Sequence, residues 1–220
     1  MSSKPMPRLF LIRHGETEWS INGRHTGRTD LPLTPNGEQI IKTRSPLLVG
    51  QGKLINPDTL CHVFVSPRQR AQKTFELLFS DLPKLPPHET CDAVREWDYG
   101  DYEGLTREQI RSKDKYWSIW RTGCPGGESA DDMTRRVDGV IEEVQEIHRK
   151  YYEDGIGRRD VMIVAHGHFS RVLISRWVQF PVSLGTHFNV EPAGVALLSY
   201  NHHSLKEPAL NGLNLYADHK

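Results

Sequence analysis

Leu9-Phe10-Leu11-Ile12 runs without a break into Arg13-His14-Gly15-Glu16-Thr17. The apolar run is the length of a strand and predicts a buried one over 9–13. Arg13-His14-Gly15 then stands where that strand ends. Active sites of α/β sheets are built at strand ends, and this turn offers a cation, an imidazole and an unobstructed backbone together. The chemistry it suggests is capture of a phosphate. Val161-Met162-Ile163-Val164-Ala165 running into His166-Gly167-His168 repeats the pattern, so two strand ends can converge on one site.

Outward from these two runs, strands are also predicted over 62–66 and 195–200, each short and rich in β-branched or aromatic residues. Helical stretches separate them. Thr34 reads as an N-cap, with Pro35 at the first helical position, and Pro46 should end or kink that helix near Ser45. A second helix spans 69–79 with Thr74, Leu77 and Leu78 facing inward. The longest spans 130–152, where Met133, Val137, Val140, Val144, Ile147 and Tyr151 recur at steps of four and three and form a core stripe. A last helix over 169–178 follows His166-Gly167 at once and aims its free N–H groups at whatever sits beside His166. The proline-bearing stretch 82–88 and the aperiodic stretch 206–220 read as surface connection and tail. Strands alternating with helices imply an α/β three-layer sandwich with a mostly parallel central sheet flanked by helices, because parallel neighbours need crossover connections. The expected organisation is a single domain over 1–220, with the tail from about 205.

Charge and composition narrow the function classes. Lys plus Arg equals Asp plus Glu at 28 each over 220 residues, so no global field favours nucleic acid or a membrane surface. No apolar stretch nears the length of about 20 residues that spans a bilayer. Cys61, Cys91 and Cys124 are odd in number and lack metal-ligand spacing, and residues 1–7 are short and polar. A reducing, cytoplasmic compartment is therefore expected. The expected partner is a small phosphorylated substrate, with no nucleic acid and no membrane; homo-oligomerisation stays open.

Ser66-Pro67-Arg68 follows a third strand, so Arg68 is another cation at a strand end. With Arg13, His14 and His166 it makes four basic side chains from three strand ends, a set suited to a phosphoryl dianion without a metal. Residues 94–104 add an acidic, aromatic run, Val-Arg-Glu-Trp-Asp-Tyr-Gly-Asp-Tyr-Glu-Gly, in which a desolvated carboxylate can serve as a proton donor. The run alone does not choose among Glu96, Asp98, Asp101 and Glu103.

Five blocks in order, residues 11–17, Ser66 to Arg68, Arg95-Glu96, Tyr99-Gly100 and His166-Gly167, resemble the histidine phosphatase superfamily, which contains the cofactor-dependent phosphoglycerate mutases. Within it, Glu18-Trp19-Ser20, Thr26-Gly27, Arg95-Glu96-Trp97, Ile119-Trp120-Arg121, His166-Gly167-His168 and Leu198-Ser199-Tyr200 most resemble the fungal sedoheptulose-1,7-bisphosphatase branch. The resemblance implies a phosphoglycerate mutase-like fold and a metal-independent phosphatase needing no cofactor, acting on a sugar bisphosphate such as sedoheptulose 1,7-bisphosphate. It makes His14 the nucleophile that becomes phosphohistidine, with Arg13, Arg68 and His166 as the charge clamp and Glu96 as the acid. Ser20, His25, Thr26, Gly27, Tyr99, Arg121, Gly167 and Arg171 become substrate-binding candidates, with Arg121 or Arg171 holding a second phosphate. Flanking cations help keep His14 neutral, as a nucleophile must be. The alternatives are mutase-type phosphoryl transfer by the same residues, or a non-catalytic module on the same fold. Ser20 and Thr122 stand where mutases usually carry asparagine and a second basic residue, and His25 stands where the bisphosphatase branch usually has tyrosine. The His166 to His168 spacing, with His202-His203, also suits zinc, but no carboxylate or cysteine lies at a matching offset.

Overall fold

The computed structural model describes residues 4–215. Strand β1 (Arg8–Arg13) is followed by a short helix α1 (Glu18–Asn22) and by α2 (Pro35–Leu48). Strand β2 (Leu60–Val65) leads into α3 (Gln69–Leu78) and a short strand β3 (His88–Thr90). Two short helices, α4 (Arg107–Lys113) and α5 (Ile119–Thr122), precede the long α6 (Ala130–Tyr152). Strand β4 (Asp160–Ala165), helix α7 (Gly167–Trp177) and strands β5 (Val195–Tyr200) and β6 (Pro208–Leu215) complete the order. The six strands form one sheet in the order β3-β2-β4-β1-β5-β6. The four on one side, β3, β2, β4 and β1, are mutually parallel, while β5 and β6 run antiparallel to their neighbours.

Helices cover both faces of the sheet, which is why its central strands are apolar throughout. Period-two alternation sorts the strand residues between the two layers. Leu9, Leu11, Val161, Ile163, Ala196 and Leu198 pack with Met133, Val137, Val140 and Val144 of α6 and Phe169, Val172 and Leu173 of α7. Phe10, Ile12, Val63, Val65, Met162 and Val164 pack with Ile41 and Leu48 of α2 and Ala71, Phe75 and Leu78 of α3. The mostly parallel sandwich inferred from the sequence is the architecture found.

Helix α2 starts as the sequence predicts, and its start is tied to the turn after β1. Thr34 Oγ1 accepts from the Gly37 N–H at 2.9 Å and donates to Glu16 Oε1 at 2.7 Å. Gly37 has no room for a side chain, because a Cβ there would lie 2.6 Å from the Glu16 carbonyl oxygen. The first turn of α2 thus presses directly on the His14-Gly15-Glu16 segment.

Four expectations change. Pro46 lies inside α2, which continues to Leu48; the missing N–H falls in the last turn, where Ser45 Oγ donates to the Leu78 carbonyl and Leu48 is buried. In α6 Ile147 keeps its place in the stripe, half-buried against the core, while Tyr151 is half-buried and fully buried His148 joins the inward face. A straight helix drifts relative to a strict seven-residue repeat, and His148 Nδ1 pairs with the Tyr200 hydroxyl at 2.9 Å. Strand β3 lies at the end of the proline-bearing connection as an exposed edge strand. Residues 208–215, expected as tail, form β6 along β5; the remainder of that stretch from 216 lies outside the described residues.

Candidate active site

Strand register builds the centre of the site. Arg13 of β1 lies opposite Ala165 of β4, so His14 and His166, each one residue further on, leave the sheet side by side. The His14 N–H donates to the Ala165 carbonyl at 2.9 Å, and the two imidazole centroids are 5.1 Å apart. On the other side of β4, Val65 of β2 lies opposite Val164. That places Ser66 where its Oγ meets His166 Nε2 at 2.7 Å.

His14 is only 5% exposed, and its Nδ1 lies 2.7 Å from the Gly15 carbonyl oxygen. A carbonyl only accepts, so Nδ1 carries the proton and Nε2 carries the lone pair. Burial, then the charges of Arg70 and Arg13, holds the imidazole well below its usual pKa, which favours the neutral ring. The same causes, burial first and Arg70 next, hold His166 down.

Arg70 is the residue that sequence reasoning missed. It is fully buried, its Nη1 and Nη2 donate to the carbonyls of Thr29 and Thr26, and its charge acts on both histidines more than that of any other residue. Arg68 lies at the cap of α3, half-buried, with its Nε donating to the Gly27 carbonyl at 3.1 Å. The signal was in the helix phase: Arg70 shares the inward face of α3 with Thr74 and Leu77, four and seven residues on. Thr74 Oγ1 donates to the Arg70 carbonyl and accepts from the Gly15 N–H, which ties that face to the His14 turn.

Glu96, 6% exposed, sits at the start of α7. Its Oε1 accepts from the N–H groups of Trp97 and Phe169, and its Oε2 from that of His168. Oε2, with a single accepted bond, keeps capacity for another partner. A bidentate ion pair of Arg136 with Glu128 braces the loop carrying it, since Arg136 Nη1 also donates to the carbonyls of Ala93 and Arg95 and Glu128 Oε2 accepts from the Asp98 N–H.

Arg13, His14, Ser20, His25, Thr26, Glu96, Tyr99, Gly167 and Arg171 line one cleft, and Glu96 is the one carboxylate among the described residues that does so. Gly167 is packed against Arg13, whose Cζ would be 3.4 Å from a Cβ there. Thr17, Trp19, Arg24, His168, Asn189 and Val190 complete most of the wall. Gly27 does not line it: its N–H is held by the Glu103 carboxylate, and a Cβ would lie 2.5 Å from the Trp97 carbonyl oxygen. Arg13 Nε, Arg70 Nε and His166 Nδ1 are buried and without a protein partner. Three unpartnered buried nitrogens on groups surrounding His14 are a cradle for an anion, which supplies the acceptors they lack.

A second cleft adjoins the first through Gly23, His25, His168 and Arg171. It is lined by Arg107, Arg121, Arg171 and His187, with Trp117 and Trp120, and by no carboxylate among the described residues. The Arg171 guanidinium lies 4.9 Å from the Trp120 ring centroid and donates to the carbonyls of Gly185 and Thr186. His168, held well below its usual pKa by burial and then by Arg171, pairs through Nδ1 with the Tyr99 hydroxyl at 2.7 Å. Among the described residues no three of histidine, cysteine, aspartate and glutamate stand together as a metal site, and no helix is long and apolar enough to cross a membrane.

The family model described as the histidine phosphatase superfamily (branch 1) matches residues 9–212. The chain is 34% identical to a sedoheptulose 1,7-bisphosphatase of Saccharomyces cerevisiae, over 93% of this chain and 91% of that protein. It is 39% identical to an acid phosphatase of Mycobacterium tuberculosis, over 94% and 92%. A solved structure of a Mycobacterium tuberculosis open reading frame product superposes with a TM-score of 0.81 at 37% identity, covering 95% of this chain and 97% of that one. A buried histidine in a basic cleft and these likenesses lead to one conclusion: the chain belongs to the histidine phosphatase superfamily and is a phosphoric monoester hydrolase.

Proposed function

We propose that this phosphatase hydrolyses a bisphosphorylated sugar, such as sedoheptulose 1,7-bisphosphate, through a phosphohistidine on His14. The observation that carries the substrate class is the second cleft, where Arg107, Arg121 and Arg171 stand without a carboxylate beside the cleft that holds His14. One phosphate bound at Arg13 leaves a second basic pocket that a monophosphate would not use. Likeness to the yeast sedoheptulose bisphosphatase supports the same reading.

The residues then take these roles. His14 Nε2 attacks phosphorus, the P–O bond to the sugar breaks, and the Glu96 carboxyl gives its proton to the departing alkoxide, a poor leaving group without one. Glu96 next takes a proton from water as the water oxygen bonds to phosphorus and the N–P bond breaks. Arg13, Arg70 and His166 hold the equatorial oxygens and offset the charge that develops there. Arg70→Met is accordingly expected to lower kcat/KM by about 10²-fold or more, the scale of a lost charge-stabilising donor, and Arg68→Met by less than about 10-fold. Steady-state assays on both variants, with folding checked by circular dichroism, decide the order; a larger loss for Arg68→Met would return the clamp role to Arg68.

A phosphate-release screen over C3 to C7 sugar phosphates and phosphoglycerates, in EDTA, tests the substrate class. Sugar bisphosphates are expected to give the highest kcat/KM, with Arg121→Ala, which lines only the second cleft, raising KM for them and leaving that of monophosphates nearly unchanged. Equal rates for mono- and bisphosphates would sink it, and 2-phosphoglycerate formed from 3-phosphoglycerate would favour a mutase.

A further inference from the structure

We propose that Asn214 is a positioning residue for the phosphoryl clamp, acting through the turn at 189–191 on the guanidinium of Arg13. This rests on the reading of the Arg13 and His14 cleft as the phosphoryl site. Asn214 belongs to β6, the strand that sequence reasoning read as tail, and its φ is +54°. An L-residue in the left-handed region is uncommon, and asparagine enters it more readily than most. The β5–β6 register shifts between Val195 and Leu197, next to this position, as a bulge with one residue out of alternation does.

The carboxamide spans one residue of the facing turn. Its Nδ2 donates to the Asn189 carbonyl at 2.8 Å, and its Oδ1 accepts from the Glu191 N–H at 2.8 Å. Val190, between them, is buried, and its carbonyl accepts from Arg13 Nη1 at 2.7 Å. The amide thus holds, through the Glu191 N–H, the same peptide group whose carbonyl holds Arg13, and, through the Asn189 carbonyl, the peptide group before it. Asn189 and Val190 also line the cleft. The turn has no ladder of its own; Asn189 Nδ2 binds Glu191 Oε1, and the Gly194 N–H returns to the Glu191 carbonyl. With Val190 O fixed on one edge of the guanidinium, the unpartnered Nε of Arg13 is set in one direction. A clamp displaced by a fraction of an ångström loses both anion affinity and rate.

The test uses full-length Asn214→Ala, Asn214→Gly and Asn214→Asp, reading kcat, KM and the inhibition constant for inorganic phosphate, with the folded fraction measured alongside. Alanine and glycine both remove the fork, and glycine also relieves the left-handed backbone. Both are expected to lower kcat and weaken phosphate inhibition about 10-fold, whereas aspartate, which keeps the acceptor for Glu191, falls between them and the parent. A merely structural Asn214 would scale kcat with the folded fraction and leave KM and phosphate inhibition unmoved; that result, or full recovery in Asn214→Gly, overturns the proposal. Phosphate binding is also measured without substrate by calorimetry, so a mistaken sugar leaves the outcome standing. If the parent protein itself binds no phosphate, the reading of the cleft fails, and the proposal with it.

Discussion

Replacing His14 by alanine is expected to lower kcat/KM for sugar phosphates by about 10⁴-fold or more, the scale seen when a covalent nucleophile is removed. The other imidazoles at the cleft, among the described residues, are engaged elsewhere. His166 is fully buried with Nε2 committed to Ser66, and the two other imidazoles that line the cleft, His25 and His168, stack on each other with centroids 5.9 Å apart, their Nδ1 atoms engaged by the Leu105 carbonyl and the Tyr99 hydroxyl. The loss should therefore appear in kcat, with phosphate affinity nearly kept, because Arg13 and Arg70 remain. A ³¹P spectrum of the parent protein quenched during turnover should show phosphohistidine that the variant lacks. The proton state is testable in the same protein. An ordinary histidine is mostly protonated at pH 6, but burial and the charges of Arg70 and Arg13 hold His14 well below that range. Its ¹⁵N signals should report a neutral ring with the proton on Nδ1 at pH 6, and the nucleophile should be lost only at lower pH. Titration of His14 near 6.5 would rule out a ring held neutral by burial and the flanking arginines.

Glu96→Gln is expected to lower kcat for sugar phosphates by about 10³-fold, within the range for a lost general acid, while leaving the protein folded. The amide oxygen can keep the hydrogen bonds from Trp97 and Phe169 that Oε1 accepts, and only the one from His168 to Oε2 is forfeited. The start of α7 stays capped. What disappears is the proton for the leaving alkoxide and the base for the second step. Nitrophenolate leaves without a proton, so p-nitrophenyl phosphate should still phosphorylate His14 and give a burst of nitrophenol equal to the enzyme present. Sugar phosphates should give no burst. Rapid-mixing assays separate the two, and an equal loss for both esters with no burst would remove Glu96 from the acid role.

Much of the site is visible in the chain because it is local. The Arg13-His14 and His166-Gly167 turns follow apolar runs whose only stable setting is a strand between two helix layers, and the pairing of β1 with β4 then brings them together. Thr34 and Pro35 announce α2 for the same reason: a cap needs only its own turn. The choice between Arg68 and Arg70 is different in kind. Both are arginines at the head of one helix, and which is buried beside the histidines depends on the face α3 turns to the sheet.

The sequence by itself determined the sandwich, the strand ends and the order of the candidate site residues, since apolar periodicity, capping and turn chemistry act over a few neighbours. Tertiary structure alone decided the rest. Strand β6 has no alternation to announce it and exists through its pairing with β5. The second basic cleft gathers Arg107, Arg121, Arg171 and His187 from four separate segments. Asn214 reaches Asn189 and Glu191 across more than twenty residues of chain. Burial, charge coupling and hydrogen bonds across such separations depend on how the elements dock, and no local pattern encodes that docking.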